Sequence, residues 1–219
     1  RSGDFLIELN KNYNENCLET MFKMPDNFID LTITSPPYDT LRDYNGYSFD
    51  FEAIANELYR VTKQGGVVVW VVGDATINGS ETGTSFKQAL FFMELGLNLH
   101  DTMIWNKGGF SAVGALNSRY APVFEYMFIF TKGKLKTFNP IKDKKNKCFG
   151  DTIHGTIRQK DGSTTKVSGC NKKIIGEFGQ RFNIWEISPQ RQRGINKHTA
   201  PFPEKLIQDH ILSWSNEGD

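Results

Sequence analysis

Ser35, Pro36, Pro37 and Tyr38 are the residues of this chain whose order most directly implies chemistry. They follow Ile29-Asp30-Leu31-Thr32-Ile33-Thr34, in which Ile29, Leu31 and Ile33 alternate with polar residues as on one face of a strand. Neither proline can donate a backbone hydrogen bond and each fixes its own φ, so strand pairing must stop there. What remains is a stiff ledge at a strand's carboxyl end, the edge at which open α/β sheets bind ligands. The ledge offers a hydroxyl, carbonyls without strand partners and an aromatic face. Those groups suit a planar molecule bearing an amine, whose N–H groups donate to Ser35 Oγ and the Pro36 carbonyl while its ring stacks on Tyr38. A proline-rich turn or a polyproline II ligand is the plainer alternative. Such ligands usually sit in polar surroundings, whereas this one follows a hydrophobic strand directly.

The elements that must hold the ledge follow from periodicity. A short strand is expected at 4–9, a helix at 14–23 and the ledge strand at 29–34. Residues 38–49 have no period and read as a long loop. Phe51, Ile54, Ala55, Leu58 and Val61 recur at helical spacing, predicting a helix over 51–62 that Gly65-Gly66 ends. The unbroken apolar run at 67–72 predicts a strand buried on both faces. A second helix is expected at 85–95, stopped by Gly96, with further strands at 98–106 and 124–132. This order predicts an α/β fold, a Rossmann-like doubly wound sheet. Trp70, Trp105 and Trp185 lie in apolar runs and are expected in the core. His100, His154 and His210 are scattered and receive no role.

A chain of 219 residues with 38% hydrophobic content can bury one substantial core plus an elaboration. No unbroken apolar run approaches the roughly 20 residues of a membrane span, and no basic-then-apolar leader opens the chain. Cys17, Cys148 and Cys170 are odd in number and lack Cys-x-x-Cys spacing, so a reduced compartment is expected, with neither a disulfide framework nor a metal site. Net charge is only +1, but its distribution is uneven. From Lys132 to Lys173 there are twelve Lys and Arg against three Asp, a local charge of +9 that leaves −8 on the remainder. That segregation is a footprint suited to a phosphate backbone, or a solvated basic insertion attracted to its own acidic core. The core pattern fades after Asn139 and returns at Phe182.

Ser-Pro-Pro-Tyr after a hydrophobic strand resembles the catalytic motif of the amino-group DNA methyltransferases, which act on cytosine N4 or adenine N6. Residues 15–30 resemble the lead-in segment of those enzymes, and 65–74 their next core strand. Phe182-Asn183-Ile184-Trp185-Glu186-Ile187 followed by Lys197-His198-Thr199-Ala200-Pro201-Phe202-Pro203-Glu204-Lys205-Leu206 is similar to the helix-leading motif beside their cofactor site. The order, catalytic motif first and helix motif last, is that of the β-type permutation. In that permutation a strand and a glycine-rich loop follow the helix motif; the chain stops at Asp219, before them. An incomplete methyltransferase is therefore expected.

The resemblance implies a partial catalytic core over 1–138 and 182–219, a Rossmann-like S-adenosylmethionine-dependent fold, and a target-recognition insertion over 139–181. It implies a site-specific transfer of methyl from S-adenosylmethionine to a base flipped from double-stranded DNA, with Ser35, Pro36, Pro37 and Tyr38 catalytic. Within the family a serine in the first motif position accompanies cytosine N4 activity more often than adenine N6, so cytosine is favoured and adenine is the alternative. A cofactor-free DNA-binding fragment, or an enzyme acting on RNA or a small amine, are the rival classes. Lys197, His198, Thr199, Ala200, Phe202 and Glu204 are the implied cofactor-binding residues; a basic group and a hydroxyl at a helix start suit a carboxylate. Their alternative is an ordinary helix entry capped by Thr199. Asp39 and Asp74, each near a strand end, are candidates either for the cofactor or for a loop cap. DNA contacts are expected from Lys107, Arg119, Tyr120, Lys144, Lys145, Arg158, Arg191 and Arg193, with Arg181 a further candidate. No membrane and no metal are expected. A homodimer, or association with a missing C-terminal segment, is the expected assembly, and a bacterial or phage-encoded cytoplasmic protein the expected setting.

Overall fold

The computed structural model describes residues 7–37, 49–109, 118–190 and 202–219, which form two units, one comprising Arg1–Asn139 with Asn183–Asp219 and the other Pro140–Phe182. Helix α1 (Cys17–Lys23) starts where the Asn16 side chain accepts from the Leu18 N–H (3.0 Å), three residues later than its periodicity suggested. Strand β1 (Ile29–Thr34) falls where it was predicted. Helix α2 (Phe51–Val61) begins at Asp50, whose carboxylate accepts from Ala53 N–H (3.1 Å), and it runs directly into β2 (Thr62–Val72). A two-residue hairpin of β3 (Thr76–Ile77) and β4 (Ser80–Glu81) leads to helix α3 (Thr84–Glu94). Strands β5 (Asn98–Asn106) and β6 (Phe124–Thr131) follow. The 4–9 strand is not found: 7–9 carry no strand, and 4–6 lie outside the described residues.

Gly65-Gly66 does not end α2. It lies inside β2, where a Cβ at Gly65 would stand 2.8 Å from Lys136 Cβ and one at Gly66 2.9 Å from the Asp30 carbonyl. Gly65 also holds a φ of +80°, which a side chain would strain. Gly65 thus lets the chain at 134–136 pass closely and Gly66 lets β1 approach, and the register of β1 on β2 shifts between Ile29 and Leu31 at this place.

The second unit begins with β7 (Lys144–Lys145), which pairs antiparallel with β10 (Phe178–Gly179). Between them lies the antiparallel ribbon of β8 (Thr156–Arg158) and β9 (Thr164–Lys166). The chain returns to the first unit as β11 (Ile184–Glu186) and ends on helix α4 (Glu204–Trp214).

The main sheet has the order β1-β2-β6-β5-β11. β1 is parallel to β2 and β11 to β5, while β6 is antiparallel to both its neighbours. β1, β2, β5 and β11 therefore run the same way. Val68, Trp70 and Val72 pack with Ala55, Leu58 and Val61 of α2, and with Ala89 and Phe92 of α3, on one face. Trp70 donates its indole N–H to Gln88 Oε1 (2.8 Å), tying α3 to β2 without leaving either polar group unsatisfied. Lys132, just past β6, is buried and donates to the carbonyls of Tyr59 (2.7 Å) and Thr62 (3.0 Å), so a cation completes the carboxyl end of α2.

The other face is covered by α4. Leu206, His210 and Trp214 are buried at helical spacing. Trp214 donates its indole N–H to His210 Nδ1 (3.1 Å), which leaves the imidazole proton on Nε2, 3.4 Å from Met127 Sδ. The ring also lies against Trp185, centroids 4.6 Å apart. Burial pushes the His210 pKa down to about 3 from an ordinary 6.5. The unfolded chain takes up this proton below about pH 6.5 and the folded chain does not, so His210 contributes stability that is complete above that pH and is lost as pH falls towards 3. Urea midpoints of the wild type should drop between pH 7 and pH 5, and His210→Gln, less stable at pH 7, should show a shallower acid slope. Parallel slopes for the two proteins would remove His210 as the cause.

Candidate active site

The direction of the strands decides where side chains from distant parts of the sequence meet. Because β1, β2, β5 and β11 point the same way, the segments that follow them, beginning at Ser35, Gly73, Lys107 and Ile187, all leave the sheet at one rim. The ledge lies on that rim. Pairing of β1 with β2 ends at Thr34 opposite Trp70, after which Ser35 is exposed, Pro36 buried and Pro37 half-buried. The exposed serine thus stands between the end of a strand and a buried proline, and the proline that follows it restricts the serine's backbone to extended conformations. Tyr38 and Asp39 lie outside the described residues.

Asp74 sits two residues beyond β2. Its carboxylate accepts from the Ser85 N–H (3.0 Å), from the Ser85 hydroxyl and from Thr82 Oγ1 (3.3 Å). The N-cap of α3 is Gly83, which has no side chain to cap with. Asp74 fills that role from the preceding loop and places negative charge at the helix start. Of the two roles open to it, the helix cap is the one observed.

Lys107 forms an ion pair with Glu125 and lies over the Trp105 ring, 5.2 Å from its centroid. An expected phosphate contact is thus engaged within the sheet's own rim. Arg119 donates to the Gly79 carbonyl and lies 3.7 Å from Glu81 Oε1, fastening its loop to the β3–β4 hairpin. Tyr120 beside it is fully exposed. In the second unit, Lys144 is half-buried over the Phe182 ring at 4.3 Å, whereas Lys145 and Arg158 are exposed. Arg181, the further candidate, is bound to Asp143 (3.1 and 3.0 Å from Nε), a brace within its unit. Arg191 and Arg193 lie outside the described residues.

Of the six cofactor candidates, Lys197, His198, Thr199 and Ala200 lie outside the described residues. The N-cap of α4 is Pro203, not Thr199. Phe202 is half-buried, its ring edge-on to Trp105 at 6.3 Å, and Glu204 is exposed in the helix's first turn, its N–H donating to Gln190 Oε1 (3.2 Å). An aromatic face and a carboxylate beside the strand-end rim match the adenine and the hydroxyl or ammonium groups of S-adenosylmethionine. Sequence reasoning missed the clustering of four loops at one rim; the signal was the order of strands, which local patterns do not carry. Among the described residues, no group of three His, Cys, Asp or Glu is placed to hold a metal, and no helix is long and apolar enough to cross a membrane.

Residues 29–219 match the N6/N4 methyltransferase family described as DNA methylase. The chain belongs to that family. It is 59% identical over 198 residues to the orphan methyltransferase M.BamHII of Bacillus amyloliquefaciens, covering 87% of this chain and 73% of that one. It is 27% identical over 227 residues to the Type II methyltransferase M.BglII of Bacillus subtilis, covering 96% of this chain but 58% of the relative. Among solved structures it resembles the PvuII DNA methyltransferase (cytosine-N4-specific), with a TM-score of 0.64 and 18% identity over 94% of this chain and 71% of that one. That likeness establishes the α/β methyltransferase fold. This family member therefore spans about three fifths to three quarters of the two relatives' lengths.

Replacing Asp74 tests its assignment as a cap. Asp74→Ala should cost about 1–2 kcal/mol of stability, seen as a lower urea midpoint, with S-adenosylmethionine affinity unchanged at temperatures where the variant is folded. Weakened cofactor binding at unaltered stability would reverse the assignment.

Proposed function

We propose that this chain transfers a methyl group from S-adenosylmethionine to the exocyclic amine of a base turned out of duplex DNA, cytosine N4 in preference to adenine N6. The observation that carries the proposal is the ledge: an exposed Ser35 held by a buried Pro36 where β1 ends at the common rim. Family membership supports the methyl-transfer class, and the basic stretch supports DNA over a free nucleoside.

The chemistry follows from the amine. An exocyclic nitrogen is a poor nucleophile because its lone pair is delocalised into the ring. Ser35 Oγ and the Pro36 carbonyl, accepting its two N–H groups from outside the ring plane, favour a tetrahedral nitrogen and release that lone pair. S-adenosylmethionine, when bound, supplies an electrophilic methyl on a positive sulfur, and Phe202 and Glu204 are the described residues suited to hold it. The nitrogen–carbon bond forms as the carbon–sulfur bond breaks to release S-adenosylhomocysteine. Positive charge grows on the nitrogen, so the two oxygens bind the transition state more strongly than the ground state, and the surplus N–H proton then passes to solvent. Tyr38 gives the everted base a π-face, worth about 1–3 kcal/mol in comparable stacking sites. The base must leave the duplex because a ledge on a sheet rim cannot reach a paired amine. Ser35, a neutral acceptor, is what favours cytosine. Restriction–modification, or an orphan role without a nuclease, is the proposed setting, and double-stranded DNA the partner.

Duplex DNA treated with the protein and S-adenosylmethionine, digested to nucleosides and weighed by mass spectrometry, should contain N4-methylcytosine. N6-methyladenine would change the base, and unmethylated DNA with no heat of S-adenosylmethionine binding would reduce the chain to a DNA-binding piece. Ser35→Ala should lower turnover about 100-fold, the scale of one lost transition-state hydrogen bond, with DNA affinity retained; unaltered turnover would take Ser35 out of the reaction. Tyr38→Ala should weaken capture of the base about tenfold or more, while Tyr38→Phe should be mild. Equal losses would show that the hydroxyl, not the ring, matters.

A further inference from the structure

The unit Pro140–Phe182 contains a ribbon that its own packing does not explain. All six residues of β8 and β9 are exposed, and Ile157 on one of its faces is 52% exposed. A lone two-stranded hairpin is marginal in water, because it has no third strand or helix to bury a face against. This one is stiffened at its turn instead. The Gln159 N–H donates to the Ser163 carbonyl (2.8 Å) and the Gln159 amide to Thr165 Oγ1 (2.8 Å). Asp161 Oδ1 accepts from both the Ser163 N–H (2.9 Å) and its hydroxyl (2.7 Å), and Gly162 supplies the positive φ of the turn.

Register sorts its side chains. Thr156 pairs with Lys166, Ile157 with Thr165 and Arg158 with Thr164. Directly opposed residues share a face and successive residues alternate. One face therefore carries Thr156, Arg158, Thr164 and Lys166, and the other Ile157 and Thr165. Two cations and two hydroxyls stand on the first face with no acid, since Asp161 is confined to the turn. Around them the unit holds ten Lys and Arg against four Asp and Glu.

We infer that this ribbon enters the major groove of the DNA substrate with its Arg158–Lys166 face towards the bases, Arg158 reading a guanine edge and Lys166 holding a phosphate. The inference rests on the methyltransferase reading given above. A two-stranded ribbon is of a width the major groove admits, an exposed arginine on it can meet guanine O6 and N7 together, and lysine acts as a point charge on the backbone. The cationic face supplies charge complementarity, and pre-ordering of the turn lowers the entropy cost of insertion.

The test begins by mapping, at base resolution, the positions that the wild type methylates on long duplex DNA of mixed sequence. A fluorescent duplex containing the mapped site is then compared with duplexes carrying single base-pair changes. Arg158→Ala should narrow the preference for the true site over one changed guanine by about tenfold or more. Lys166→Ala should weaken all the duplexes alike and lower the salt slope by about one. Ile157→Thr, on the opposite face, should leave affinity and preference as they were. Circular dichroism and melting of each variant report folding, and a second pair, Arg158→Lys and Lys166→Gln, repeats both readouts with the stems retained. The inference is overturned if folded Arg158 and Lys166 variants match the wild type in affinity, salt slope and site preference, or if the Ile157 change alone alters them. A wild type that binds DNA but methylates none would refute the methyltransferase reading separately; affinity and salt slope on a duplex of arbitrary sequence then still test the ribbon, unaltered values for folded Lys166→Ala and Arg158→Ala overturning it.

Discussion

Parallel strands impose a direction on everything attached to them. Four of the five strands in the main sheet point the same way, so the four segments that follow them leave by one rim, those after β1 and β2 returning around α2 and α3. The ledge after β1, the Asp74 loop after β2, the lysine-bearing turn after β5 and the approach to α4 after β11 lie along one rim for that reason alone. No local signal in any of these segments requires the others to be close. The fold is in this sense the device that sets a hydroxyl, a carboxylate and an aromatic ring along one rim of the sheet.

The sheet holds this arrangement because β2 is buried on both faces over Val67–Val72, and its neighbours are locked by register on either side. Three of the four described helices are then each fastened by a polar group. Gln88 ties α3 to Trp70, Lys132 closes α2, and His210 anchors α4 between Met127, Trp185 and Trp214. A misplaced helix would strand one of these groups without a partner, at a cost of roughly 1–3 kcal/mol each. Polar pins of this kind define one helix position where an all-apolar interface would accept several.

Much of this was legible in the residues. β1 and β5 have the limits that their alternation implied, and α2 and α3 lie within one residue of theirs, since amphipathic spacing is a local property. Gly65-Gly66 misled, because a glycine pair reads as punctuation whether it ends a helix or admits a crossing chain. His210 gave no sign of its position, for a histidine on a helix looks alike facing solvent or core. Lys107 and Arg181 read as free cations, yet each has an acid beside it in space that is far away in sequence, Glu125 and Asp143. The serine-proline-proline ledge was the clearest feature, because proline acts on its own backbone and needs no distant partner to be understood.

The segment Pro140–Phe182 is closed at its base. The Arg181 N–H donates to the Ile141 carbonyl (2.8 Å), and the Arg181 guanidinium grips Asp143. Its entrance and exit are thus stitched together by the segment's own residues, independently of what lies at its far end. A stretch so fastened behaves as a cassette: its interior can be lengthened, shortened or transplanted while the strands before and after it keep their spacing. A change of length or sequence inside the segment need not alter the distance between its two ends.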